Sequence, residues 1–339
     1  GEECLEAQGL WRQVFSEDTA TFTDYYFSCK AGKNRGLVLE GQEGIRAMLY
    51  LTPERVCAAG RLVDSAYIVG VATRPDCRRK GYMSALLKEA LALLYRENVP
   101  FVFLMPASPA IYAPFDFVWI YDRPVWDAAA FDPHGLRRMK EADAGRMAQF
   151  ASRILEREKQ VYVLRDSAYY REKLQEAAAQ EGGIFGYERQ VSPGAKKLEG
   201  LFYYTREEGE ADLPEVLAEA EIERCFVGKR LGEKPAIMAR VVKAEALLSL
   251  LSGDLPVEFG LQIKDPLICQ NSGRYLCRAD RQGCVAKRMS EKGSTPGQTA
   301  ELCLSAGELT EFVFGRRKEA GLGGGNLRFL SRVWINEIV

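Results

Sequence analysis

The sequence predicts a mixed α/β protein, and three adjacent segments carry this prediction. Residues 67–73 are β-branched and aromatic, too short for a stable helix and closely followed by Pro75, which indicates a buried strand. Residues 83–94 carry apolar side chains at helical spacing, which indicates an amphipathic helix packed on a sheet. Residues 101–105 are again typical of a strand. The order of strand, helix and strand favours an α/β fold.

A basic turn joins the first of these strands to the helix. It contains Arg78, Arg79 and Lys80, followed by Gly81. The start of a helix presents unpaired N–H groups and a partial positive charge, so a turn with three cations there attracts a diphosphate. The spacing matches neither G-x-x-x-x-G-K-[ST] nor G-x-G-x-x-G, so a nucleotide triphosphatase is unsupported. A solvated turn without a ligand is the alternative.

Composition bounds the remaining possibilities. The 339 residues are 47% hydrophobic, which is enough for two or three domains with sizeable cores. The net charge of −1 gives no broad basic surface for nucleic acid or an anionic membrane. No apolar run is long enough to cross a bilayer, and the first residues lack a signal pattern, so a soluble cytoplasmic protein is expected.

Cysteine and histidine usage narrows the chemistry further. The nine cysteines contain no C-x-x-C pair and are expected to be reduced. His134 is the only histidine, which argues against histidine-based triads and histidine-rich metal sites. We therefore expect no metal cofactor.

The basic turn resembles the acetyl-coenzyme A signature of the GNAT N-acetyltransferases. A second landmark, Ile111-Tyr112 followed by Phe115-Asp116-Phe117, is similar to the I-Y-x-x-F-G-F pattern of the Eis-like branch, named for enhanced intracellular survival. The resemblance extends over most of the chain. Met83 stands where a small residue is usual, and Asp116 replaces the glycine of F-G-F, which puts the local backbone geometry in question.

The resemblance implies tandem GNAT-fold domains and a last α+β domain. The expected boundaries are 1–131 for the catalytic domain, 132–234 for a second GNAT-like domain without the cofactor signature, and 235–339 for a sterol-carrier-protein-like domain. Residue patterns predict helices near 147–155 and from 169 to the glycines at 182–183, strands at 184–187 and 201–204, and a helix from Leu213 to Glu223. Strands are predicted at 257–263, 275–279 and 284–288.

The resemblance also implies that acetyl-coenzyme A is the co-substrate, held mostly by backbone atoms. Three groups of positions correspond to the family's cofactor contacts: Val71, Ala72 and Thr73 along the pantetheine; Arg79, Lys80, Gly81, Tyr82, Met83 and Ser84 at the pyrophosphate; and Ala107 and Ser108 near the thioester.

Two catalytic positions follow from the resemblance. Tyr112 takes the position of the family's proton donor beside the leaving sulfur. Many GNAT enzymes are thought to use a glutamate on the strand before the turn, but no carboxylate lies between Tyr67 and Thr73. The resemblance instead assigns the base to the chain's terminal carboxylate, on Val339. Glu337 is the second candidate, and a merely packed terminal strand is the alternative reading of this apolar tail.

These features predict an acetyl-coenzyme A-dependent N-acetyltransferase that acylates a primary amine directly. The acceptor stays open between aminoglycosides, polyamines, lysine side chains and peptide amines. Similar proteins form hexamers, so a homo-oligomer is expected. The alternative is a non-catalytic regulatory protein that binds coenzyme A or, in its last domain, a lipid.

Overall fold

A computed structural model describes residues 2–207, 209–227, 230–289, 301–317 and 325–337. The first part of the chain forms four helices and five strands in the order α1 (Glu2–Val14), α2 (Ala20–Tyr25), β1 (Arg35–Gly41), β2 (Gly44–Ala58), β3 (Arg61–Thr73), α3 (Tyr82–Arg96), β4 (Phe101–Leu104), α4 (Pro109–Tyr112) and β5 (Val118–Trp126).

The middle of the chain continues with β6 (Arg137–Arg138), α5 (Ala144–Glu158), β7 (Val161–Val163), α6 (Ser167–Ala179), β8 (Gly183–Ser192), β9 (Ala195–Glu207), β10 (Glu210–Ala218), α7 (Ala220–Phe226) and β11 (Arg230–Val241). The remaining elements are α8 (Ala244–Leu248), β12 (Ser252–Gly253), β13 (Val257–Lys264), β14 (Gly273–Asp280), β15 (Gly283–Arg288), β16 (Glu301–Ser305), α9 (Ala306–Val313), β17 (Leu327–Arg328) and β18 (Val333–Trp334).

An eight-stranded sheet, called the main sheet below, organises the first part of the chain. Its strands lie in the order β18-β7-β2-β3-β4-β11-β5, and β1 pairs with the first half of β2. The helix α3 covers one face with Leu86, Leu87 and Leu91, which confirms the predicted amphipathic helix. The opposite face packs against α1 and, at its edge, against residues from the middle and the end of the chain.

The strands β3 and β4 are paired over only a short distance. Their parallel ladder contains Ala66 with Val102 and Tyr67 with Phe103, although β3 runs on to Thr73. Between Val69 and Ala72 a bulge shifts the pairing of β3 with β2. Bulges bend the strand that carries them, so β3 leaves β4 beyond Tyr67 and opens a gap in the sheet.

A four-stranded sheet in the order β10-β9-β8-β6 lies in the middle part of the chain, and it contains a segment that was predicted to be helical. The helix predicted over Leu213–Glu223 is wrong in its first half, because Glu210–Ala218 is strand β10 and only Ala220–Phe226 is helical. The pairing of β10 with β9 shifts between Asp212 and Glu215, and this irregularity places Leu213 and Val216 in one buried cluster. Apolar residues three apart on one strand face imitate helical spacing, which explains the error.

The last part of the chain forms a four-stranded sheet, β15-β14-β13-β16, in which β13 and β16 are parallel. The strands predicted at 257–263, 275–279 and 284–288 are confirmed. Strand β11 spans the boundary predicted at 234/235 and pairs with β4 and β5 in the main sheet. The domain boundaries and the sterol-carrier-like assignment stay predictions. Within the described ranges, no helix has the length and apolar character needed to cross a membrane.

Gly70 at the bulge provides a stability test. Its φ is +61°, and a Cβ there would lie 2.4 Å from the ring of Trp11. A left-handed alanine costs about 1–2 kcal/mol, and overpacking adds about 1–3 kcal/mol. We expect Gly70→Ala to lower the free energy of unfolding by about 2–5 kcal/mol, measured by urea unfolding.

Gly60 offers the matched control, because its φ is +75° and nothing lies within 4 Å of its added Cβ. Gly60→Ala is expected to show only the conformational cost of about 1–2 kcal/mol. Equal effects of the two substitutions would contradict the tight packing of the bulge against Trp11.

Candidate active site

The basic turn between β3 and α3 has the form of an anion site. Gly81 has a left-handed φ of 82°, and the first helical bond of α3 runs from the Ala85 N–H to the Gly81 carbonyl. The N–H groups of Tyr82, Met83 and Ser84 therefore have no partner within the helix. Such groups at a helix start favour a bound phosphate.

The cations of this turn divide into one arginine that is paired with acidic groups and three cations that are not. Arg74 bonds to Asp76 at 2.7 Å and to Glu43 at 3.0 Å, which fixes the start of the turn. The exposed side chains of Arg78, Arg79 and Lys80 follow, and within the described part of the chain none of them is paired with an acidic group. The turn thus presents three positive charges to solvent beside unpaired N–H groups.

The gap in the main sheet lies between this turn and Tyr112. Ala72 and Thr73 pair with β2 on one side, while β3 beyond Tyr67 has no strand on its other side among the described residues. A free strand edge offers backbone N–H and C=O groups to an extended ligand. Ala107 and Ser108 follow β4 across the gap, with Ser108 preceding α4.

Tyr112 is buried at the end of α4, with only 7% of its surface exposed. Its ring lies edge-on to Phe117 at a centroid distance of 5.9 Å. Its hydroxyl makes no hydrogen bond to a described residue, and burial raises the pKa of Tyr112 to about 12. Proton transfer to a thiolate of pKa about 8.5 would then be uphill by about 5 kcal/mol, so a hydrogen bond to the thiolate is the more economical role.

The backbone after Tyr112 tolerates the departure from the family pattern. Asp116 adopts a left-handed conformation with φ 60°, which glycine favours and aspartate accepts better than most residues. Arg240, fully buried on β11, donates from Nε to the Phe115 carbonyl at 2.7 Å and from Nη2 to Asp265 at 2.6 Å. This buried pair ties the Tyr112 turn to the loop after β13.

The tail enters the site from the edge of the main sheet. Strand β18 pairs in parallel with β7, and Ile335, Asn336 and Glu337 continue inward as buried residues. Arg165 Nη2 lies 3.1 Å from Glu337 Oε1, and the Tyr169 hydroxyl donates to Glu337 Oε2 at 3.3 Å. Val339, the predicted base, lies outside the described residues.

Arg165 holds this arrangement together from the middle of the chain. Its side chain is fully buried, pairs with Glu215 at 2.9 Å and lies 4.2 Å over the ring of Tyr169. The Trp334 indole N–H donates to the same Glu215 carboxylate at 3.3 Å. Trp334 and Glu337 are thus the two residues through which the tail is held in place.

Tyr67 lies at the last residue pair between β3 and β4, where the free edge of β3 begins. Tyr67 is fully buried on β3, and burial raises the pKa of its hydroxyl. The charges of Glu337, Glu176 and Tyr112 raise this pKa as well. The basic turn starts beyond Thr73, about 20 Å along β3 by strand geometry.

Sequence reasoning missed Glu54. This half-buried residue lies opposite Ser65 in the pairing of β2 with β3, two positions from the pair of Thr52 with Tyr67. Residues directly opposite share a face, so Glu54 and Tyr67 face the same side of the main sheet. The signal was available in the alternation along β2, where Glu54 takes an inward position before the buried Val56 and Ala58.

Among the residues that the structure describes, no group of three or more histidine, cysteine, aspartate or glutamate side chains is arranged to hold a metal ion. All nine cysteines are free.

Comparison with known proteins assigns the first part of the chain. Residues 2–120 match the family described as "Acetyltransferase (GNAT) domain". No curated protein matches the chain. This first part of the chain therefore matches a GNAT acetyltransferase domain, and the match includes β3, the basic turn, α3 and Tyr112.

Solved structures extend the likeness to nearly the whole chain. A probable N-acyltransferase of unknown function from Enterococcus faecalis V583 is 20% identical, with a TM-score of 0.73 over 93% of this chain and 88% of that chain. A GCN5-related N-acetyltransferase from Anabaena variabilis is 14% identical, with a TM-score of 0.73 over 99% and 97%.

Eis1 from Mycobacterium abscessus is 14% identical, with a TM-score of 0.66 over 97% of this chain and 92% of that chain. Identities this low show a shared fold. They confirm the predicted α/β class with GNAT-fold architecture.

Because Arg165 holds the tail in place through buried ion pairs, removal of its side chain is expected to have a large effect on stability. Removing one partner of a buried ion pair leaves an uncompensated charge, which costs about 3–5 kcal/mol. We expect Arg165→Met to lower the free energy of unfolding by about this amount in chemical unfolding, because Glu215 and Glu337 both lose their cation.

Arg157→Met serves as the control, since the exposed Arg157 pairs with Glu219 at the surface. It should leave the midpoint of unfolding nearly unchanged. If the unfolding midpoint of Arg165→Met shifts no more than that of the control, Arg165 does not hold the tail in place.

Proposed function

We propose that the protein is an acetyl-coenzyme A-dependent N-acetyltransferase that transfers the acetyl group directly to a primary amine. The observation that carries the proposal is the combination of three features within the residues that match the GNAT domain. They are the unpaired helix start of α3 with its three cations, the free edge of β3 beyond Tyr67, and Tyr112, whose hydroxyl has no hydrogen-bond partner among the described residues.

The cofactor is proposed to lie along the gap. Its diphosphate is bound by the N–H groups and cations of Arg79 to Ser84, and its pantetheine pairs with the backbone of Val71 to Thr73 as an added strand. Its thioester then lies between Ala107, Ser108 and the Tyr112 hydroxyl. This placement uses the unpaired edge and the unpaired helix N–H groups described above.

The reaction requires a neutral amine and a stabilised thiolate. An amine of pKa about 10.4 is neutral in only a small fraction of molecules at pH 7, so a base near the acceptor matters. The sequence supplies the Val339 carboxylate and Glu337 as candidates, both at the tail. Tyr112 stabilises the leaving thiolate by hydrogen bonding.

Several finer features stay proposals. The acceptor class is open between aminoglycosides, polyamines, lysine side chains and peptide amines. A homo-oligomer, with a hexamer as the expected form, is tested by sedimentation, and a cytoplasmic location by fractionation of cells.

The test is thiol release from acetyl-coenzyme A with kanamycin, spermidine and a lysine-containing peptide. We expect turnover by the wild-type chain and a kcat about 100-fold lower in Tyr112→Phe, with the KM for acetyl-coenzyme A little changed, because one donor to the developing charge is lost. Mass spectrometry of the acetylated amine confirms the product.

Tyr121→Phe is the matched control, because Tyr121 is similarly buried, its hydroxyl has no partner in the described part of the chain, and it packs in a different core cluster from Tyr112. Its kcat is expected to match that of the wild type. If no amine is acetylated while coenzyme A still raises the unfolding midpoint, the non-catalytic binding protein replaces this proposal.

A further inference from the structure

A pocket of about 300 Å³ is lined by Glu54, by Glu337 and by Thr52, which is the residue opposite Tyr67 in the pairing of β2 with β3. Charged groups reach it from every neighbouring element: Arg55 beside Glu54 on β2, Lys30 and Lys33 after α2, Arg165 and Asp166 before α6, Glu172 and Lys173 in α6, and Glu337 in the tail. The pocket therefore contains cations and carboxylates in mixture.

Most of these charges are already paired. Lys33 pairs with Glu172 at 2.6 Å, Lys30 with Glu176 at 3.2 Å, and Glu337 with Arg165 at 3.1 Å. Asp166 accepts the Tyr169 N–H at the start of α6. Glu54, by contrast, has no hydrogen bond and no ion pair with any described residue.

One residue that lines the same pocket also has a buried polar atom without a hydrogen-bond partner in the described part of the chain. Glu337 Oε1 is buried and accepts no hydrogen bond, since Arg165 approaches it outside hydrogen-bond geometry. An unsatisfied buried polar atom is typical of a site that a polar ligand completes.

We propose that Glu54 is the general base, which takes the proton from the acceptor amine during acetyl transfer. This inference rests on the proposed function. The amine enters the pocket, and its nitrogen lone pair attacks the thioester carbonyl carbon. The C–S bond breaks with its electron pair going to sulfur, the N–H proton goes to the Glu54 carboxylate, and the thiolate is held by the Tyr112 hydroxyl. Glu54 later releases its proton to solvent.

Pairing decides between the two described carboxylates. The Glu337 carboxylate is already engaged by Arg165 and by the Tyr169 hydroxyl, whereas Glu54 has no such partner among the described residues. Burial raises the pKa of the Glu54 carboxyl, and the charge of Glu337 raises it further, whereas Lys30, Arg165 and Lys173 lower it. A carboxylate with a raised pKa is a stronger base at neutral pH. The charge of Glu337 thus contributes to the raised pKa of the Glu54 carboxyl.

Kinetics over a pH series test the base with the amine that the wild-type chain acetylates fastest. The wild-type kcat/KM is expected to rise with pH as Glu54 ionises. Glu54→Gln should lower kcat/KM by about 100-fold or more and remove the part of the rise that comes from Glu54, leaving the rise that comes from ionisation of the amine itself. Glu337→Gln should move the rise to lower pH, because a charge that opposes ionisation of Glu54 is gone.

Two controls separate this role from others. Asp64→Asn changes an exposed carboxylate on β3 at the neighbouring register position, opposite Arg55, and should leave the rate and the pH profile unchanged. Deletion of residues 338–339 should leave the rise with pH in place. If this deletion removes the rise of kcat/KM with pH, the assignment of the base to Glu54 is wrong and the Val339 carboxylate is favoured.

Stability shows whether the Glu54→Gln chain is folded. A carboxyl whose folded pKa is raised loses folding free energy as pH rises from its unfolded pKa to its folded pKa. The wild-type unfolding midpoint should therefore fall relative to Glu54→Gln over this range. If a folded Glu54→Gln chain keeps full activity, the assignment of Glu54 as the base is wrong and the proposed function stands. If the wild-type chain acetylates no amine, the proposed function itself is wrong.

Discussion

The bulge at Gly70 bends β3 away from β4, and the candidate site depends on this separation. Two residue pairs hold the strands together, at Ala66 and Tyr67, and the next six residues of β3 have no partner on that side among the described residues. The same bend directs the end of β3 to the turn that starts α3. The bend of β3 at the bulge is thus the one physical cause of both features: the unpaired strand edge for the cofactor and the helix start for its diphosphate.

The second requirement is that distant segments meet on the other side of this gap. The parallel pairing of β18 with β7 holds the tail at the edge of the main sheet, and Arg165 holds Glu337, which lines the same pocket as Glu54. The middle part of the chain has no phosphate signature, but it supplies Arg165, Tyr169 and Glu215. Its role in this account is to position the tail.

Local chemistry in the sequence predicted the parts of the site that lie close together along the chain. The strand at 67–73, the basic turn and the helix from Tyr82 were found because alternation, helical spacing and a helix start leave short-range signals. The structure adds that Asp116 takes the left-handed conformation expected of a glycine. Glu54 was missed because its importance comes from the tail, which lies more than 280 residues further on. The first half of the helix predicted over 213–223 was wrong because a bulge near Pro214 places Leu213 and Val216 on one face.

The central claim is that one gap in the main sheet receives the thioester between Tyr112 and the tail. A crystal structure of the full chain with bound coenzyme A measures this most directly. The account predicts the sulfur within hydrogen-bond distance of the Tyr112 hydroxyl, the pantetheine along Val71 to Thr73, and the diphosphate on the N–H groups of Arg79 to Ser84. A cofactor bound elsewhere, or a sulfur on the side of the sheet away from Tyr67 and out of reach of Tyr112, would contradict it.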